Sequence, residues 1–97
     1  MELERDVEEY LVREVNIAGG TCYKFVSPGR RGVPDRLVVC RGRIFFVELK
    51  KKSGRLSALQ KVEARAIQSQ NVEVFTVYSK AQVDEVLKRK GLSFHAS

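Results

Sequence analysis

Gly32-Val33-Pro34-Asp35-Arg36-Leu37-Val38-Val39-Cys40-Arg41-Gly42-Arg43-Ile44-Phe45-Phe46-Val47-Glu48-Leu49-Lys50 is the stretch of this 97-residue chain from which the rest can be read. Two runs rich in branched and aromatic residues, 36–40 and 44–50, are separated by Arg41-Gly42-Arg43, short enough for a hairpin turn. Ile44-Phe45-Phe46-Val47 is apolar without alternation, which predicts burial on both faces. Side chains two apart on a strand share a face, so Glu48 and Lys50 project together. Asp35 opens the first run just after Pro34, and the hairpin brings it alongside them. Two carboxylates and an ammonium then converge at one point of a sheet.

Upstream, Ser27-Pro28-Gly29-Arg30-Arg31-Gly32-Val33-Pro34 is a loop, because two prolines and two glycines forbid regular structure. Thr21 to Val26 is rich in β-formers and reads as a strand. Leu3, Val7, Leu11, Val15 and Ala18, with Tyr10 beside them, recur at helical spacing until Gly19-Gly20 stops the helix. Downstream, Lys51 to Arg55 is a polar loop. Ser57 opens a helix running to about Ser69, with Leu59, Val62, Ala66 and Ile67 expected inward. Val72 to Val77 is a fourth strand, and Ser79 caps a last helix bearing Val83, Val86 and Leu87. The order is α-β-β-β-α-β-α. A hairpin followed by a β-α-β crossover implies an α/β fold with a mixed four-stranded sheet flanked by helices. No linker or repeat interrupts residues 1–97, and 43% apolar residues supply the core of a single domain. So small a domain gains stability by self-association, so an oligomer is an option to keep.

No segment is long and apolar enough to span a membrane. Met1 to Asp6 is charged and lacks the apolar run of a signal peptide, which leads us to expect an intracellular, cytoplasmic protein. Cys22 and Cys40 sit among strand-like apolar residues and read as two reduced core thiols. With the sole histidine, His95, in the tail, they are too few for a zinc site.

The formal net charge is +6, and its distribution says more than its size. From Arg30 to Lys61 there are ten basic residues and only two acids, Asp35 and Glu48, a local charge of +8 that leaves −2 for everything else. A concentrated basic patch is the footprint of a partner rich in phosphates; an unpartnered solvated face is the plain alternative. Within that patch two neighbouring carboxylates repel unless a cation lies between them, and a divalent ion held by oxygens is the usual answer. Such an ion polarises a phosphate and lowers the pKa of its bound water. Lys50 is placed to orient that water or to stabilise charge developing on the phosphate. The plain alternative is a structural ion-pair cluster at a strand end.

Gly32-Val33-Pro34-Asp35, then Phe46-Val47-Glu48-Leu49-Lys50, then Gln60 on the following helix, resembles the VRR-NUC family of virus-type replication and repair nucleases, a branch of the PD-(D/E)xK superfamily. The resemblance covers nearly the whole chain and implies a restriction-endonuclease-like core. It also implies a metal site for Mg²⁺ or Mn²⁺, built from Asp35, Glu48, the main-chain carbonyl of Leu49 and a glutamate of the first helix. At about 100° per residue, Glu9 lies nearly opposite the Leu3–Val7–Leu11 stripe. Glu4 sits in the first turn, where an acid favours the helix dipole. Glu8 borders the stripe, and we select it. Gln60 carries two readings: Ser57-Ala58-Leu59-Gln60 has the spacing of a capping box, while the resemblance has Gln60 support Lys50 or a phosphate. Glu63 points into the apolar face of the same helix and needs a partner that the sequence does not name.

The loop before Asp35 has glycines that let backbone approach a ligand and two arginines, Arg30 and Arg31, that can grip phosphates bidentately. Arg36, Lys51, Lys52 and Arg55 are the other expected DNA contacts. The expectation is a metal-dependent DNA endonuclease. Stand-alone size resembles virus-encoded members, and likeness in fold to dimeric junction resolvases suggests a homodimer acting on branched duplex DNA. The rivals are a nicking or flap endonuclease with the same chemistry, and a non-catalytic DNA-binding module.

Overall fold

A computed structural model describes residues 2–93; His95, noted above for its place in the tail, lies outside the described residues. The elements run α1 (Glu4–Ile17), β1 (Thr21–Lys24), β2 (Arg36–Cys40), β3 (Arg43–Leu49), α2 (Ala58–Gln68), β4 (Glu73–Val77) and α3 (Lys80–Arg89), in the expected order.

α1 buries Val7, Leu11 and Val15, spaced by four as a helical stripe requires. It ends in a Schellman turn: Gly19 takes φ +90, its N–H donates to the Asn16 carbonyl, and the Gly20 N–H donates to that of Val15, both at 3.0 Å. Arg41 and Gly42 both have positive φ, 47° and 80°. This is the primed two-residue turn whose twist matches a β-hairpin, with Cys40 and Arg43 as closing partners.

The sheet order is β1-β2-β3-β4, antiparallel across the first two pairs and parallel across the last, where α2 makes the crossover. Phe45, Val47 and Leu49 of β3 point to one face. There they join Val38, Cys40 and Val77 beneath Val7, Leu11 and Val15 of α1 and Val83, Val86 and Leu87 of α3. Burying a side chain of this size contributes roughly 1.5–3 kcal/mol, so this face holds the domain together. Cys22 and Cys40 lie in it as free buried thiols, and burial pushes the Cys22 thiol up to about 11. Arg41 and Arg43 donate to the carbonyls of Gly91 and Lys90 just past α3. Two of the basic residues in the middle of the chain are thus occupied with closing the last helix.

The opposite face departs from expectation. Ile44 is 59% exposed and Phe46 half-buried, so burial on both faces does not hold for 44–47. α2 is turned the other way from its expected orientation: Leu59 and Val62 are 51% and 56% exposed, Ala66 is exposed and Ile67 only half-buried. Its one buried residue is Glu63. The inward stripe is Gln60, Glu63, Ala64 and Ile67, also at helical spacing. It faces in because Gln60 and Glu63 each find a charged partner there, Glu48 and Arg30. The two hydrogen bonds face inward while Leu59, Val62 and Ala66 stay in solvent.

Candidate active site

In the hairpin register Arg36 faces Val47, so the next step along the ladder sets Asp35 opposite Glu48. Asp35 Oδ2 accepts from the Leu49 N–H at 2.8 Å, which fixes the carboxylate against β3. Glu48 projects from the face of β3 opposite the core and is 4% exposed. Its Oε2 accepts from Gln60 Nε2 at 2.7 Å and lies 3.7 Å from Lys50 Nζ. Its Oε1 is buried and has no hydrogen-bond partner among the described residues.

A buried carboxylate oxygen without a donor carries a desolvation penalty, which Lys50, 3.7 Å from the other oxygen, offsets only in part. Burial, and next the Asp35 charge, push Glu48 up to about 7 against the pull of Lys50 and of the Asp35 backbone N–H, and Glu4 adds a smaller upward push. Such an environment calls for a cation. Two anionic oxygen donors, to which the resemblance would add the main-chain carbonyl of Leu49, are hard oxygens of the kind that Mg²⁺ and Mn²⁺ take. The residues present therefore fit a divalent ion.

Asp35, Glu48, Lys50 and Gln60 are brought together as expected. The capping-box reading of Gln60 holds, and the other end of its amide meets Glu48 where support of Lys50 or a phosphate was expected. Oε1 accepts from the Ser57 N–H at 2.8 Å, closing the capping box with the Gln60 N–H on Ser57 Oγ at 3.1 Å, while Nε2 holds Glu48. Lys51, Lys52, Arg55 and Arg31 stand exposed on the loops around the pair. Arg30 is tied through Nε to Glu63 at 2.9 Å.

Glu8 and Arg36 are placed differently. Arg36 donates from Nε to Glu8 Oε2 at 2.8 Å and from Nη1 to the Cys22 carbonyl at 3.2 Å, and its side chain is only 18% exposed. Expected to grip DNA, it instead ties β2 to α1 and β1, because its position on β2 has the same parity as Val38 and Cys40 and so faces the helix. Glu8 is taken up by the same tie. Among the described residues no three Asp, Glu, His or Cys side chains gather closely enough to hold an ion between them, so Glu8 does not complete a three-acid set with Asp35 and Glu48. The Glu63–Arg30 pair was missed as a pair: the buried acid was legible, but its partner lies 33 residues away and no local spacing signals it.

No helix among the described residues is long and apolar enough to cross a membrane. No family model matches the chain. Over 48 residues it is 62% identical to “Putative nuclease p44” of Acyrthosiphon pisum secondary endosymbiont phage 1, a match that covers 48% of this chain and 52% of that protein, about half of each. A solved structure named “VRR_NUC domain” superposes with a TM-score of 0.81 at 33% identity, covering 88% of this chain and 94% of that one. That agreement extends over nearly the full length of both chains, and by it the chain belongs to the VRR-NUC domain family.

Proposed function

We propose that the protein is a nuclease that hydrolyses DNA phosphodiester bonds with the help of a divalent ion, Mg²⁺ or Mn²⁺, held by Asp35, Glu48 and the Leu49 carbonyl. The observation that carries the reading is the buried, unpartnered Oε1 of Glu48 next to a second carboxylate, set among exposed cations. A DNA-binding surface alone gains nothing from two acids there, since they repel phosphate. The relative named as a nuclease and the shared fold support the same reading.

Each group has a physical role. When bound, the ion polarises the phosphate and acidifies a water molecule. Asp35 is held in place by the Leu49 N–H, and Glu48 by Gln60. Lys50, half-buried beside Glu48, carries the positive charge best placed to stabilise the developing negative charge on the phosphate. Arg31, Lys51, Lys52 and Arg55 neutralise backbone phosphates around the site.

The reading extends to a homodimer acting on branched duplex. Tyr23, Val39, Ile44, Leu59 and Val62 are large exposed apolar residues on the face not covered by α1 and α3, and a small domain gains by burying such surface against its own copy. A two-fold pair presents two equivalent sites, suited to the paired arms of a junction. The nuclease name of a phage relative is in keeping with a virus-encoded origin and action inside a host cell.

The test is a panel of end-labelled linear, flap, splayed and four-way DNAs, with Mg²⁺, Mn²⁺ or EDTA, alongside sedimentation at micromolar concentration. We expect metal-dependent cleavage, strongest on the four-way junction, by a dimer. A monomer that cuts all four alike removes the branched-duplex part, and absence of any cleavage removes the nuclease.

A further inference from the structure

Glu63 is the one buried residue of α2, and its Oε1 accepts from Arg30 Nε at 2.9 Å. The Glu63 side chain is 11% exposed and that of Arg30 62%, so the acid is anchored inside while most of the arginine stands in solvent. A second contact, independent of charge, fixes the same loop. Gly32, at φ +83, lies against the first turn of α2, where a Cβ would come within 2.7 Å of the Leu59 carbonyl carbon and 3.0 Å of the Gln60 nitrogen. The loop leading to Asp35 is thus clamped at two points to the helix that holds Glu48.

Gln60 and Glu63 are three residues apart on one face, with Cβ atoms about 5–6 Å from each other. Arg30 is therefore set about one helical turn from the side chain that touches Glu48. Successive phosphates on one strand rise about 3.4 Å along a duplex, so a cation held there reaches the backbone next to the reacting phosphate. By charge alone an acid on this surface opposes DNA binding. Its burial against a single arginine gives it another use: the bond to Nε removes most of the rotamer freedom of a long side chain, so less is lost when the guanidinium meets a phosphate.

We propose that Glu63 is a positioning residue, which holds Arg30 ready to grip a backbone phosphate beside the active site and so strengthens DNA binding even though it subtracts positive charge. The proposal rests on the nuclease reading above. It reverses the sign expected from electrostatics, and the test uses that reversal. Binding of a labelled four-way junction and a linear duplex by the full chain is titrated at several salt concentrations without divalent metal, for the wild type and for Glu63→Ala, Glu63→Gln, Arg30→Ala and the double alanine variant.

We expect Glu63→Ala to weaken binding about tenfold and to lower the slope of log affinity on log salt by about one, the mark of one lost phosphate contact. Glu63→Gln, whose amide oxygen still accepts from Nε, recovers most of the loss, and the double variant is little weaker than Arg30→Ala. Unchanged or tighter binding by a folded Glu63→Ala overturns the proposal and leaves the nuclease reading intact. A wild type that binds neither DNA overturns the proposal, and the cleavage panel with metal decides the nuclease reading separately. Should Glu63→Ala fail to fold, Arg30→Lys decides. It keeps the charge but loses the Nε that Glu63 holds, so a loss like that of Arg30→Ala supports positioning, and wild-type affinity contradicts it.

Discussion

Gln60 donates from Nε2 to Glu48 at 2.7 Å while its Oε1 accepts from the Ser57 N–H at 2.8 Å, so one side chain both starts α2 and holds the buried acid of the site. The helix cannot shift at its first turn without moving Glu48.

The two duties of Gln60 are separable. Gln60→Glu keeps a capping box, for which Glu is well suited, but has no N–H to give Glu48. A hydrogen bond to a charged group contributes about 1.5–3 kcal/mol, or roughly 10–100-fold in rate when the group acts in the transition state. We expect single-turnover cleavage to fall by that factor with helix content by circular dichroism unchanged. Wild-type cleavage by this variant would reduce Gln60 to a cap.

Glu48 makes the metal-free protein less stable as pH rises. Its folded value is about 7 against an ordinary 4.5, so the charged form is disfavoured by the fold. The stability present below the ordinary value is lost as pH rises through the folded one, a loss on the order of 3 kcal/mol for this one group. Glu48→Gln removes that loss. Without divalent metal the variant is expected to melt several degrees above the wild type at pH 8, with a gap that closes toward pH 4.5. A gap independent of pH contradicts the origin assigned to the shift.

Arg36 is structural, by its bonds to Glu8 and Cys22. Arg36→Ala leaves Glu8 without its partner and is expected to destabilise the fold by about 1–3 kcal/mol in urea melts. It leaves the salt slope of DNA binding unchanged, whereas alanine at Lys51, Lys52 or Arg55 lowers that slope by up to about one each. A lowered slope in a folded Arg36→Ala protein would return this residue to the DNA interface.

The strand pattern and the Asp35–Glu48–Lys50 cluster were legible because they rest on a period of two and one short turn, both local properties. The orientation of α2 was not. Leu59, Val62 and Ala66 form one helical stripe and Gln60, Glu63 and Ile67 another, and periodicity does not say which faces in when the polar stripe has charged partners elsewhere in the chain. The fates of Arg36, Arg41 and Arg43 were hidden for a related reason. A count of charges does not reveal that one ties β2 to α1 and that two close the end of α3.

The metal-dependent hydrolytic site proposed for Asp35 and Glu48 stands or falls on single-turnover cleavage by Asp35→Ala. With protein in excess over a labelled four-way junction and Mg²⁺ or Mn²⁺ present, the wild type is expected to cut the DNA. The variant, folded and bound to the same DNA at least as tightly because an acid has left a basic surface, is expected not to cut it. Metal-dependent cleavage by the purified variant at a rate near that of the wild type would show that Asp35 is not part of the hydrolytic site.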